Sequence, residues 1–450
     1  RAVFAADWPH APPAGSPTPT DERSDLWPSA RFYDESMFHG PAFQGVMSID
    51  GIGPEGGRAT IRVLPRDGLF RSNPRPEFLT DPVLLDQAGQ VLGFWGMQRD
   101  RSSQHVFFPF RIEEFCQYGP PLPVGETVAC DLRVTRVKDG YLQGDLSLIR
   151  SDGRIWVRCR GWEDRRFEMS EALHRLILSP GRSPVGRPWE VPQGLVPDSL
   201  GLVAYRVDRD SFSASFFTAQ GAIWERTLAL STLGGAERAG WRELKGPPNR
   251  RVEWLLGRVA AKDAAIAYLR RNGVEARPAD LEIVPDDGGR PVFRGPWSER
   301  LGGMPALSIS HAGGVAVAVV GPDDCRLGVD IELIDRMNAD VASTFSPDER
   351  ELLSGLGPAE LGEWLTRAWC AKEAAAKALG TGMMGGPQSL VIRSIDAGTG
   401  LVRIGLAGAL AGWSEGRADV PGILEATTAR EDRLVVAVSC LIPATEEAPR

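Results

Sequence analysis

The sequence predicts an α+β protein in two successive parts, a long helix set against an antiparallel sheet and then a mixed α/β region. Three observations carry this expectation. Apolar and polar residues alternate over 59–64, 126–134, 142–150 and 154–160, around a single long helical pattern at 84–97. Residues 178–198 hold five prolines (Pro180, Pro184, Pro188, Pro192 and Pro197) among several glycines, a linker composition. Beyond them, helical patterns at 249–271 and 361–379 alternate with short apolar runs at 306–310, 315–320, 327–332 and 434–440.

Residues 1–30 are rich in Pro and Ser and read as an irregular lead-in. The first part then spans 31–177. In it, Ser151, Asp152 and Gly153 mark a turn between two alternating strands. The second part spans 199–445. Its helix 249–271 carries a core stripe of Val252, Leu255, Leu256 and Val259, flanked by Arg251, Arg258 and Lys262 on a neighbouring face. Ser346, followed by Pro347 and Glu349, is a capping box with proline in the first turn. The helix 361–379 stops at Gly380. No sequence repeat is visible.

At 450 residues the chain is long enough for two or three domains. A net charge of −8 gives no global attraction for nucleic acid. No apolar run approaches the ~20 residues of a membrane helix. The six cysteines are scattered without a CxxC pair, which predicts reduced thiols in the cytoplasm rather than a disulfide frame or zinc site. The chain opens at Arg1 without a signal peptide, and is expected to be part of something longer.

Two runs in the second part carry chemistry. GVDIE at 328–332 reads as a strand, so Asp330 and Glu332 share a face about 7 Å apart along the chain. WCAKEAAAK at 369–377 reads as helix, so Glu373 and Lys377 share a face four residues apart. Three carboxylates converging on one hard cation, with a lysine beside them, suit an enzyme that handles a pyrophosphate through Mg²⁺. Singly, each piece has a bland reading: a surface ion pair worth ~0.3–0.5 kcal/mol, an exposed strand edge, a turn histidine at His311. Their order and spacing together carry the weight.

With Gly289-Arg290-Pro291 and LSISH at 307–311, these runs resemble the phosphopantetheinyl transferases of the type that activates surfactin synthetase, over roughly residues 200–445. The resemblance implies two similar α/β halves related by a pseudo-twofold, with coenzyme A between them. It implies Mg²⁺ on Asp330, Glu332 and Glu373, and Glu373 as base, directly or through water. Lys377 and His311 then touch the diphosphate. Arg290 stands where the family has lysine, and keeps the charge. Arg258 is expected at the nucleotide. Lys372 binds phosphate or only flanks the site. An acyl carrier protein or domain is the expected partner, docking its acidic surface on the basic face of helix 249–271.

In the first part, Asp81-Pro-Val-Leu-Leu-Asp86 opens the long helix, with Asp86 expected in its first turn and Gln90 one turn on. Upstream lies His39-Gly-Pro-Ala-Phe43. Alone, Asp86 reads as a helix-capping acid. Together these residues resemble the second half of a polyketide synthase dehydratase, a double hot-dog fold with YGPxF followed by LLDxxxQ; His39 replaces the tyrosine. There the aspartate, kept protonated by burial, donates to the leaving hydroxyl of a 3-hydroxyacyl thioester. A first-half histidine in HxxxGxxxxP removes the α-proton. No histidine here has Gly at +4, so that half is expected upstream or on another chain. His10, His39, His105 and His174 are given structural roles.

A dehydratase followed by an integrated transferase resembles the carboxyl end of the iterative polyketide synthases that begin enediyne biosynthesis. Two other readings remain: a chain whose main activity is dehydration once completed by its other half, and a non-catalytic docking region.

Overall fold

The computed structural model describes residues 7–20, 27–70, 72–100, 105–138, 140–191, 200–213, 215–218, 221–295, 297–334, 344–356, 360–417 and 420–442. The chain divides into two compact units, Arg1–Ser179 and Pro180–Arg450.

The first unit is an antiparallel sheet curled round one helix. Its strands are β1 (Trp27–Pro28), β2 (Val46–Gly53), β3 (Gly56–Arg62), β4 (His105–Arg111), β5 (Glu114–Gln117), β6 (Thr127–Lys138), β7 (Tyr141–Ile149) and β8 (Ile155–Glu168). They run in the order β1-β2-β3-β6-β7-β8-β4, with β5 also on β8. Helix α1 (Ser29–Glu35) precedes β2, α2 (Pro82–Arg99) is the central helix, and α3 (Glu171–Leu178) closes the unit. Twelve consecutive or near-consecutive residues of α2 from Val83 to Gly96 are buried, as expected for a helix enclosed on nearly every side. Leu84, Val91, Leu92, Phe94 and Trp95 pack against Ile49, Ile61, Val128, Leu132 and Leu146 of the sheet.

Asp81 caps α2. Its Oδ1 accepts from the N–H groups of Val83 and Leu84, and its Oδ2 from Arg66. Asp86 therefore stands in the second turn, not the first as the sequence suggested, because the cap is the aspartate before the proline. The lead-in is not irregular throughout. Pro13 bridges Arg154, and buried Thr18 donates to Asp131 on β6. Residues 1–6 and 21–26 of it lie outside the described residues.

The second unit contains two halves with a similar order of elements. The first half runs β10 (Val203–Asp208), α4 (Ile223–Thr232), α5 (Gly235–Glu243), α6 (Pro248–Arg271), β11 (Glu282–Pro285), β12 (Pro291–Arg294), the single turn α7 (Ser298–Leu301), β13 (Ala306–Ala312) and β14 (Val315–Gly321). The second runs β15 (Arg326–Leu333), α8 (Pro347–Ser354), α9 (Leu361–Leu379), β16 (Leu390–Asp396), β17 (Leu401–Leu406), α10 (Gly408–Ser414), β18 (Ile423–Glu431) and β19 (Leu434–Leu441). In each, the last strand returns to pair antiparallel with the first, β14 with β10 and β19 with β15. The last two strands form a hairpin in both. The halves differ in that β11 and β12 form a separate sheet, while β16 and β17 join that of their half. The capping box at Ser346 and Glu349 opens α8, and Gly380, at φ 74°, ends α9.

The run 178–198, expected as a linker, ends the first unit at Ser179 and from Pro180 is built into the second unit where it is described. β9 (Arg187–Pro188) pairs with β10, Trp189 is buried, and the N–H groups of Val185 and Gly186 bond Asp263 on α6. Composition alone could not show that these amides have an acceptor. Residues 192–198 of the run lie outside the described residues, as does the end of the second part past 442.

Candidate active sites

In the second unit, β15 and α9 meet at a glycine. A Cβ on Gly328 would stand 1.8 Å from the carbonyl oxygen of Ala374, so only glycine permits this approach. Residues of β15 then alternate. Val329 and Ile331 enter the core shared with β14 and β19, while Asp330 faces α9.

Asp330 is 5% exposed. Lys377 Nζ donates to its Oδ1 at 2.7 Å and to the Val329 carbonyl at 3.0 Å. Ser310 Oγ, from β13 of the other half, donates to the same Oδ1 at 2.9 Å and accepts from the Ile331 N–H. Asp330 Oδ2 is buried and has no hydrogen-bond partner. Glu373 lies within its field. Burial pushes the Glu373 carboxyl up, the charge of Asp330 pushes it further, and Lys377 opposes both. The Cys370 thiol on the same helix feels both Asp330 and Glu332.

His311, at the end of β13, brings the first half to this cluster. Its Nδ1 lies 3.8 Å from Glu253 Oε2 on α6, and a Cβ on Gly257 would stand 3.8 Å from its ring. Burial lowers its affinity for a proton; Glu253 and Asp330 raise it, and Lys377 lowers it.

The structure thus gathers Asp330, Glu373, Lys377 and His311. The three-carboxylate grip expected from spacing is not formed: among the described residues, no three Asp, Glu, His or Cys side chains are placed to hold a metal ion. Lys377 occupies Asp330 Oδ1 and leaves Oδ2. The unused Oδ2 of Asp330 and the facing Glu373 still fit Mg²⁺, which commonly takes one or two carboxylates and keeps waters or phosphate oxygens for the rest.

Two other expectations need correction. Lys372 does not face a ligand. It is fully buried, with Nζ 2.7 Å from Glu349 Oε1, 3.1 Å from the Pro387 carbonyl and over the Phe345 ring. Lying about 100° round the helix from Glu373, it points at α8 rather than at the cleft. The basic face of α6 is not a solvated patch either. Arg251 pairs with Glu225, and Lys262 is buried against Glu237. Arg258 lies 3.7 Å from Glu237 and over the Trp254 ring, with its guanidinium largely covered and Nε without a hydrogen-bond partner. Arg290 is half-exposed, bound to Asp286 at 2.9 Å, and lies against Gly380 beyond the end of α9.

In the first unit, a cavity of about 290 Å³ opens beside α2. Asp86 and Gln90 share its wall one turn apart, Gln90 Nε2 donating to Asp86 Oδ2 at 2.8 Å. Gln90 is itself fixed by Tyr33, which donates to Oε1, and by the Phe43 carbonyl, which accepts from Nε2. His39, given a structural role from sequence, lines the same cavity with Nε2 3.4 Å from Asp86 Oδ2. Burial lowers its proton affinity and Asp86 opposes that. Asp164 also lines the cavity. The alternation legible in the sequence stops at residue 160, short of Asp164, whose place on the inward face of β8 comes from the longer strand.

Comparison with known proteins agrees with this division. Residues 326–436 match the family model of the 4′-phosphopantetheinyl transferase superfamily. Residues 10–173 match that of the polyketide synthase dehydratase N-terminal domain. The holo-acyl-carrier-protein synthase of Streptococcus sanguinis (strain SK36) is 38% identical over 94 residues, 21% of this chain and 73% of that protein. Its counterpart from Geobacillus kaustophilus (strain HTA426) is 41% identical over 85 residues, 19% of this chain and 62% of that protein. The chain belongs to the 4′-phosphopantetheinyl transferase superfamily, and it is an enzyme that also carries a dehydratase domain of the polyketide synthase type.

Solved dehydratase domains are among the structures to which the chain is similar. The domain from the CurJ module of curacin polyketide synthase is 20% identical, covering 32% of this chain and 50% of that chain, with a TM-score of 0.26. That of PpsC from Mycobacterium tuberculosis is 22% identical, covering 34% and 56%, also at 0.26. This chain thus spans about half the length of these structures. Among the described residues no helix is long and apolar enough to cross a membrane.

Proposed function

We propose that the second unit transfers the 4′-phosphopantetheine arm of coenzyme A to a serine of an acyl carrier protein or domain. The observation that carries this is the cluster at β15 and α9: Asp330 with an unused buried oxygen, Glu373 facing it, and Lys377 beside both. The serine oxygen forms a bond to the β-phosphorus as the bond from that phosphorus to the bridging oxygen breaks, releasing 3′,5′-ADP. Glu373 takes the serine proton, and its raised proton affinity suits a base near neutral pH. Lys377 offers positive charge, and His311 a hydrogen bond, to the diphosphate. Asp330 and Glu373, with Glu332 on the same strand face, are the residues to hold Mg²⁺; when bound, it supplies charge neutralisation at the phosphates. Arg290 is free to swing from Asp286 to a phosphate, and Arg258 lies on the same helix as Glu253. The test is mass spectrometry of an apo carrier incubated with the chain, coenzyme A and Mg²⁺. Gain of the phosphopantetheine arm supports the proposal, and an unchanged carrier refutes it in favour of a docking role.

A second activity is supported by the cavity of the first unit. Asp86, held by Gln90 and His39, is placed to protonate the leaving hydroxyl of a 3-hydroxyacyl thioester. The order HGPxF then LLDxxxQ favours the second hot-dog half, acting with a half that supplies the base, although the matched family description names an N-terminal domain. We place the chain in an iterative polyketide synthase of the enediyne type, working in the cytoplasm and priming its own carrier. The support is the succession of the two domain types in one chain. Loss of water from a 3-hydroxyacyl thioester, with the complementary half added, tests this. Asp86→Asn should abolish it without changing carrier priming.

A further inference from the structure

Asp164 takes no part in either activity, and its setting is costly. It lies on β8, only 1% exposed, with the Trp162 indole N–H donating to its Oδ1 at 2.8 Å. Burial pushes its carboxyl up to about 7; the Trp162 bond opposes this and the charge of Asp86 adds to it. Among the described residues no cation pairs with it. A carboxyl in an apolar wall is destabilising unless its polar atoms are used.

The wall in question is that of the Asp86 cavity, otherwise lined by side chains such as Met37, Met97, Val106 and Phe107. Glycines make the room. A Cβ on Gly89 would stand 2.8 Å from the Trp162 ring, and one on Gly93 would stand 4.0 Å from Asp164 Oδ2. Trp162 and Asp164, alternate inward residues of β8, thus sit over successive turns of α2. Gly93 is seven residues past Asp86, roughly 10 Å along the helix axis. The cavity therefore carries two carboxyls at two depths.

We infer that Asp164 is a specificity-determining residue that hydrogen-bonds an oxygen function on the acyl chain, about two helical turns from the hydroxyl served by Asp86. The inference rests on the dehydratase reading of this cavity and adds a substrate class: an acyl chain with a second, remote hydroxyl or carbonyl, rather than a fully saturated one. A saturated chain leaves Asp164 Oδ2 against hydrocarbon. An oxygenated chain gives it a partner: the protonated carboxyl donates to a carbonyl, and either form accepts from a hydroxyl. A site built to hydrogen-bond a ligand group rejects the ligand lacking it far more strongly than an apolar wall rejects an extra hydroxyl.

The experiment is calorimetric binding of two 3-hydroxyacyl pantetheine thioesters of equal length to the full chain. One has a saturated tail, the other a remote ketone. The wild type should bind the ketone probe at least about tenfold more tightly. Asp164→Leu should reverse that order, and Asp164→Asn should keep part of it. Asp86→Asn should weaken both probes alike. Equal affinities in the wild type, or a preference that survives Asp164→Leu, overturn the selector while leaving the dehydratase reading intact, provided both probes bind and Asp86→Asn weakens them. Failure of either probe to bind, or binding indifferent to Asp86→Asn, overturns the dehydratase reading and the inference with it. Should Asp164→Leu not fold, moving the ketone along the chain decides: a preference indifferent to its position refutes the selector.

Discussion

The two halves of the transferase unit share a framework and differ in one carboxylate. In the first, Lys262 of α6 is buried against Glu237 of α5, and that glutamate also accepts from the N–H groups of Gly234 and Ile283. In the second, Lys372 of α9 is buried against Glu349 of α8, which accepts from Ser346 and Ile392. Each glutamate closes its own helix start and receives one amide from the strand that follows the long helix. The residue after each lysine is again acidic, and there the halves part. Asp263 is buried with one oxygen bonded by two backbone amides of the 180–191 segment. Glu373 instead faces Asp330, whose Oδ2 is unused. The lysine before each of these carboxylates is therefore architecture common to both halves, while Glu373 alone of the two carboxylates lies in the field of a carboxylate with an unused oxygen.

Breaking the common lock should have the largest effect. Lys372→Met leaves Glu349 charged and buried, so a loss of about 3–5 kcal/mol in urea unfolding is expected, with a similar loss for Lys262→Met. A marginal change in either would show that the lock is not shared. Next is the asymmetry itself. Glu373→Ala should lower carrier priming about 10²–10⁴-fold, the usual range for a positioned base. Its stability should move by about 1 kcal/mol or less. Retained turnover would remove Glu373 as base.

The two acids should also differ in what pH controls. Folding raises the Asp263 carboxyl from 3.8 to about 7, chiefly through burial, so the folded chain holds that proton more tightly than the unfolded one. Its contribution to stability is complete below about pH 4 and is lost as pH rises through 7. Asp263→Asn keeps an amide oxygen for both N–H donors, so its stability relative to the wild type should grow across that window, with priming unchanged. For Glu373 the readout is rate. Priming should rise with pH as the base loses its proton, at a pH that bound Mg²⁺ lowers and burial raises. The smallest effect is expected at Arg290, whose exposed pair with Asp286 contributes little: Arg290→Ala should change stability by less than ~0.5 kcal/mol. A rise in KM for coenzyme A in that variant would identify it as a phosphate ligand.

The long elements were legible from periodicity and caps. Alternation located β3, β6, β7 and β8, and an apolar pattern with a terminal glycine located α9 and its stop at Gly380, because those signals are local and repeat within a few residues. The neighbours Glu373 and Lys377 were legible for the same reason, sharing a face on one helix. What periodicity left open was decided by contacts between residues far apart in the chain. Lys372 turns to Glu349, Arg258 to Glu237, His39 and Asp164 into the cavity of Asp86, and the proline-rich run onto Asp263. A charged side chain at a given helical angle can meet solvent, a ligand or a buried partner, and only packing selects among them, since burial without a partner is what folding cannot sustain.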